Sequence, residues 1–196
     1  MMPQVAFNAD VKQAMLAELA IHREADKIIK GVYWERGKGC AVGCTLESYK
    51  RATELKSISH DQHALYSGFL GEGGHMLGRL EDLIFEGLDN GHAQAWPERF
   101  LSAIPPGADL SRVGWQFLHW LLTDEAVNPG INHPKIKAAV QQCAAVLLPL
   151  TKGDQVDRGA AESAAAAASA AARASYQRMA DKLVSLLSQA TVDRGA

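Results

Sequence analysis

Residues 75–88 read "HMLGRLEDLIFEGL". On a wheel of about 100° per residue, Met76, Leu77, Leu80, Leu83, Ile84, Phe85 and Leu88 gather on one side, the signature of an amphipathic helix. Asp82 and Glu86 fall outside that face. Glu81 falls inside it. A lone carboxylate among apolar side chains is costly to bury, so Glu81 requires a partner. His22 or Arg23 is the candidate.

The same period recurs outward in both directions. Asn8 is placed to cap "ADVKQAMLAELAIHREADKIIK", which the pattern runs on to a stop at Gly31. In that helix Val11, Ala14, Met15, Leu19, Ile21, Ala25, Ile28 and Ile29 share a face. Glu18, His22 and Asp26 lie within the same arc at spacings of four, forming one ridge, with Arg23 at its edge. "TLESYKRATELK" suits a short helix capped by Thr45, and Ser59 can cap "HDQHALYSGFL". Pro97 suits the first turn of "WPERFLSAI". "LSRVGWQFLHWLLTDEA" and "PKIKAAVQQCAAVLLPL" follow, separated by the connector "NPGINHP". No stretch shows strand alternation. The expected fold class is all-α: a helical, bundle-like domain over 1–153 and a long Ala-rich helical appendage over 154–196. In that appendage Tyr176, Met179, Leu183, Leu186 and Leu187 form a docking stripe, and its small-residue half suits close packing or self-association. "VDRGA" occurs at 156–160 and again at 192–196, as a small duplication or by chance.

Composition narrows the function. The 196 residues carry 20 Lys and Arg against 22 Asp and Glu, a net charge of −2, so no basic excess points to nucleic acid. The start lacks the charged and apolar regions of a signal peptide, and no apolar run reaches the roughly 18 residues of a membrane span. Three cysteines do not suit a disulfide framework, and the expected location is cytoplasmic with reduced thiols.

Residues 37–45, "GKGCAVGCT", admit several chemistries. A P-loop is excluded, because no GK[ST] follows the glycines. Cys40-x3-Cys44 followed by His60-x2-His63 supplies a zinc-type donor set at loose spacing. A nucleophilic cysteine activated by histidine or Lys38 is a further option. The reading favoured is a close-packed bend that can also line a pocket. His22, the pair His60-Asp61 and Asp124 also occur in the order H…HD…D used by helical metal-dependent phosphohydrolases.

The segments "HREAD", "GKGCAVGCTL", "HALY", "RLEDLIFEGL" and "WPERFLSAIPPGADLS", followed by an Ala-rich tail, resemble a family of uncharacterised bacterial and phage proteins over roughly residues 20–125. The resemblance carries over no catalytic residue. It implies that the inward residues and the Gly/Cys stretch travel together, and that in a phage setting a host-interacting or defence-countering role fits.

The reading therefore leans away from an enzyme. It expects a binding protein with a helix-lined polar pocket for a small anionic or nucleotide-like ligand and no resident cofactor, zinc being the one metal whose donors are present. Arg23, Lys38 and the loop amides would hold the anion, while Glu18, His22, Asp26 and Glu81 orient it. The alternatives are the metal-dependent hydrolase and an interaction module using the Ala-rich helix toward a host protein or a second copy of the chain.

Overall fold

The computed structural model describes residues 7–128, 134–171 and 176–192. They form nine α-helices: α1 (Ala9–Glu24), α2 (Ala41–Ala52), α3 (Tyr66–Leu70), α4 (Gly74–Gly87), α5 (Asn90–Ser102), α6 (Val113–Thr123), α7 (Pro134–Leu147), α8 (Arg158–Ala171) and α9 (Tyr176–Ser188). Among the described residues there is no strand, only isolated bridges at Ile28–Gly39, Glu35–Lys38 and Ala108–Val192. The fold is all-α. No helix of the described residues is long and apolar enough to cross a membrane.

α2 is the axis of the N-terminal half. Every residue from Ala41 to Tyr49 is buried, because α1, α4 and α5 all pack against it. α4 delivers the expected face: Leu77, Leu80, Ile84, Phe85 and Leu88 are buried, and Glu81 lies among them, fully enclosed. α6 organises the other half, with α7, α8 and α9 against it, and α9 also reaches α4 and α5. Met179, Leu183 and Leu187 of the docking stripe enter this shared core, with Ala180 beside them. Ala161 and Ala164 of α8 are buried too, their small side chains permitting close approach. The Ala-rich segment is thus described as two helices packed on the bundle. Residues 172–175 and most of the second "VDRGA", 193–196, lie outside the described residues, as do 129–133 of the connector.

Several local expectations are corrected. Asn8 caps α1 as read, accepting from the Val11 amide at 2.9 Å. The helix does not run to Gly31, however. Asp26 takes a left-handed φ of 50°, α1 stops at Glu24, and Ile28 turns to bridge Gly39. Ile21, within α1, is 49% exposed rather than on the buried face, and Asp26 beyond the helix end is exposed. α2 begins at Ala41 with Cys40 as N-cap, five residues ahead of the expected cap Thr45, which sits in the second turn. Pro97 lies inside α5 rather than in its first turn; Asp89 caps that helix, accepting from the His92 amide at 3.0 Å. Ser59 bonds Asp61 and caps no helix.

The Gly/Cys stretch is half bend and half helix. Arg36 and Gly37 turn the chain with φ of 51° and 80°. Gly39 and Gly43 then pass directly beneath the Tyr33 carbonyl. A Cβ on Gly43 would stand 1.5 Å from that oxygen, and one on Gly39 2.1 Å. These two positions need hydrogen as a side chain so that the 31–40 segment can lie on α2.

Candidate binding site

The buried polar groups around α2 form two networks. In the inner one, Thr45 Oγ1 donates to Glu81 Oε1 at 2.8 Å and the Tyr66 hydroxyl donates to Glu81 Oε2. Trp96 Nε1 donates to the Glu81 carbonyl at 2.9 Å. The expected partners His22 and Arg23 do not reach this carboxyl; two hydroxyls from α2 and α3 satisfy it instead. Burial pushes the Glu81 carboxyl up to about 8, and the two hydroxyl bonds only partly offset that rise. The group is therefore mostly protonated at neutral pH, its own proton then donated to one of the two hydroxyls, and the core holds no net charge there. The Tyr66 phenol is likewise driven well above its usual range by burial and the facing carboxyl. This network is closed to solvent.

The outer network joins α1, α2 and the 59–63 turn. Glu47 accepts from Arg51 at 3.0 Å and from Lys50 at 3.3 Å, and pairs with His60 Nε2 at 2.7 Å. Burial raises the Glu47 carboxyl, but these three partners outweigh burial and hold it below its usual value. Arg51 reaches on to Glu18 at 2.8 Å. Beside them the Trp34 indole stacks on His60, ring centroids 5.1 Å apart, and meets the edge of His22 at 5.4 Å. His22 is 1% exposed, and neither ring nitrogen has a hydrogen-bond partner among the described residues. Burial, with Arg51 and Lys27 nearby, lowers its pKa, so the ring is neutral.

Of the residues expected to bind ligand, Glu18 and His22 come to this outer network and Glu81 belongs to the inner one. Arg23 turns to Glu98, 3.2 Å away, and Asp26 and Lys38 are exposed. The six are not brought to one pocket. The expected metal donors also part company. Cys40 and Cys44 are buried, with Cys44 Sγ 3.4 Å from the Gly39 carbonyl. Burial pushes the Cys40 thiol up to about 12 and raises that of Cys44 as well, so neither is an activated nucleophile. His60 is engaged with Glu47, and His63 Nε2 lies 3.5 Å from Asp82. Asp124 accepts from the Trp120 indole at 2.9 Å at the end of α6. Among the described residues, no three His, Cys, Asp or Glu side chains are grouped to hold a metal ion.

A concavity opens elsewhere. A groove of about 490 Å³ runs between α6 and α9, roofed at one end by residues 189–191. It is lined by Arg112, Gln116, His119, Trp120, Lys182 and Gln189, with Asp109 as its carboxylate. The Thr191 carbonyl accepts from the Asp109 amide at 2.8 Å, and the Ala108–Val192 bridge pins the same wall. Lys182 Nζ lies 5.9 Å from the centre of the Trp120 ring, a cation–π contact, and has no ion pair among the described residues. Arg112 stands 4.0 Å from Asp109, whose carboxyl the Ser111 bonds and Arg112 keep low and ionised. Partial burial lowers the His119 pKa, so its neutral ring offers one donor and one acceptor. Sequence reading missed this groove. Its two walls lie some seventy residues apart in the chain, and its residues read as the ordinary polar faces of two helices.

Compared with protein-family models, with curated proteins and with solved structures, the chain matches none.

Proposed function

We propose that the protein is a non-enzymatic binding protein and that the groove between α6 and α9 receives a small anionic ligand. The observation that carries this reading is Lys182: an ammonium without a carboxylate partner among the described residues, held in a concavity that a second cation, Arg112, also lines. Two cations against one carboxylate leave the groove positive although the whole chain is slightly acidic. Its volume falls within the range of small-ligand sites, about 300–1,000 Å³. The pocket expected at the α1 ridge thus moves to the opposite half of the fold, and the polar groups around α2 serve to fix helix positions.

The test is calorimetric titration of the full chain with inorganic phosphate, sulfate and citrate at low ionic strength, repeated with Lys182→Ala and Arg112→Ala. Saturable binding of at least one anion, weakened at least tenfold by either variant, is expected. Absence of binding by all three at millimolar concentration, or binding untouched by both variants, refutes the reading.

A further inference from the structure

The free groove keeps its ammonium on its indole, and that arrangement specifies more than a negative charge. Lys182 covers the ring of Trp120, while Phe117 packs tilted against the same ring at 5.7 Å. The Trp120 Nε1–H is committed to Asp124, which fixes the plane of the ring. An ammonium gains more from a phosphate oxygen than from an aromatic face, because the charge-assisted hydrogen bond adds to the Coulomb attraction. A phosphate entering beside Arg112 therefore draws Lys182 off the indole. The uncovered ring is then a flat apolar face in a groove that Val113, Leu186 and Ala190 also line, and such a face suits a planar ring system.

From this geometry we infer that the ligand is a nucleoside monophosphate, its phosphate between Arg112 and Lys182 and its base on Trp120. This rests on the groove being the anion site proposed above. The rest of the lining suits that class. Gln116 and Gln189 carry amides, each a donor and an acceptor, and among the described residues each side chain makes a single bond: Gln116 to the Thr151 carbonyl at 3.4 Å and Gln189 to the Ser185 hydroxyl at 3.2 Å. They can turn to a base edge. The ionised Asp109 can accept from ribose hydroxyls. A phosphate monoester carries close to two charges at neutral pH and meets both cations, whereas a monocarboxylate would leave one unmatched.

Binding of the two parts is coupled, because Lys182 has to leave the ring before the base can stack. Inorganic phosphate alone moves the lysine and gains nothing from the exposed ring. A nucleoside alone has to displace the lysine without compensating it. The monophosphate should bind more tightly than either fragment, with the stacked base worth about tenfold or more in affinity.

The experiment is calorimetric titration of the full chain with the four ribonucleoside monophosphates, the four nucleosides and inorganic phosphate, with the wild type and Trp120→Leu. At least one monophosphate should bind at least tenfold more tightly than phosphate and than its own nucleoside. Trp120→Leu should reduce that monophosphate to the affinity of phosphate and should not weaken phosphate binding, since Lys182 no longer has to leave an aromatic face. Where Trp120→Leu fails to fold, the Trp120 indole N–H resonance of the wild type replaces it: the resonance should shift with the monophosphate well beyond its shift with phosphate. If phosphate binds as tightly as every monophosphate, the nucleotide inference fails and the anion site stands. If a monophosphate is selected but neither the variant nor the indole resonance responds, stacking on Trp120 is wrong. If neither phosphate nor any monophosphate binds, the inference and the anion site fall together.

Discussion

The two halves of the molecule treat polar groups in opposite ways. Around α2 the carboxyl of Glu81 is sealed in, and each oxygen is hydrogen-bonded to a hydroxyl from inside the protein. Between α6 and α9 the ammonium of Lys182 faces a groove and, among the described residues, has only the weak attraction of an indole. A satisfied buried group specifies structure, because moving it breaks bonds that nothing else replaces. An open, weakly engaged charge can accept a ligand at little cost to the fold. Of the inward polar residues that the helical wheel singles out, Glu81 is the first kind; His22 is buried without a hydrogen-bond partner among the described residues, and Asp26 is exposed. The groove cations, which the wheel places on ordinary solvent faces, are the second.

Substitutions can break or sharpen this contrast. The largest effect is expected from Gly43→Ala, whose new methyl would lie 1.5 Å from the Tyr33 carbonyl. Either the 31–40 segment lifts or α2 shifts, and the loss should reach about 3 kcal/mol or more by denaturant titration. Recovery of wild-type stability would mean that the segment is not seated on α2 as described.

Glu81 comes next. Glu81→Ala leaves the Thr45 and Tyr66 hydroxyls buried without their acceptor and opens a cavity, for an expected loss of about 3–5 kcal/mol. Glu81→Gln keeps an acceptor oxygen and the shape, and should cost about 1 kcal/mol or less. Equal losses would contradict a neutral, hydrogen-bonded Glu81.

The same carboxyl sets a pH dependence. Its folded value of about 8 lies above the usual 4.5, so between these limits the native state holds a proton that the unfolded chain releases. Stability contributed by Glu81 is full below about 4.5 and is lost as pH rises through about 8, at up to about 1.4 kcal/mol per pH unit. His22 acts in the opposite sense. Its folded pKa is lowered below the usual 6.5, so its contribution is full above 6.5 and is lost as pH falls. The Glu81 slope is therefore cleanest between pH 6.5 and 8, and Glu81→Gln should flatten it there. A slope unchanged in that variant would assign the titration to another group.

The smallest stability effect is expected in the groove. Lys182→Ala removes a half-buried cation–π contact and should change stability by no more than about 1 kcal/mol, while weakening anion affinity at least tenfold. A variant that loses stability and keeps affinity would reverse the roles given to the two regions.

What could be read from the chain and what could not has a physical pattern. α4 was legible because seven apolar residues and one carboxyl keep a single helical phase from Met76 to Leu88. The Asn8 cap was legible because capping is local. The end of α1 was not, since it depends on Asp26 adopting a left-handed conformation that pairing of Ile28 with Gly39 enforces. The start of α2 was hidden because Cys40 is no ordinary cap, and its helix is held in place by burial on every side. Glu81 could be read as inward, but its partners come from α2 and α3, and no spacing in the sequence names them. The groove combines residues 109–123 with 182–191 and exists only after α9 docks on α6.

The most direct test follows the indole N–H resonances of the four tryptophans in a ¹⁵N-labelled protein during titration with inorganic phosphate. Trp120 lines the groove, Trp96 is bonded to the Glu81 carbonyl, and Trp34 stacks on His60 in the outer α2 network. The account predicts a saturable shift of Trp120 with Trp96 and Trp34 unmoved. A shift of Trp34 or Trp96 with Trp120 unmoved would place the anion at the α2 networks and contradict the division of labour described here.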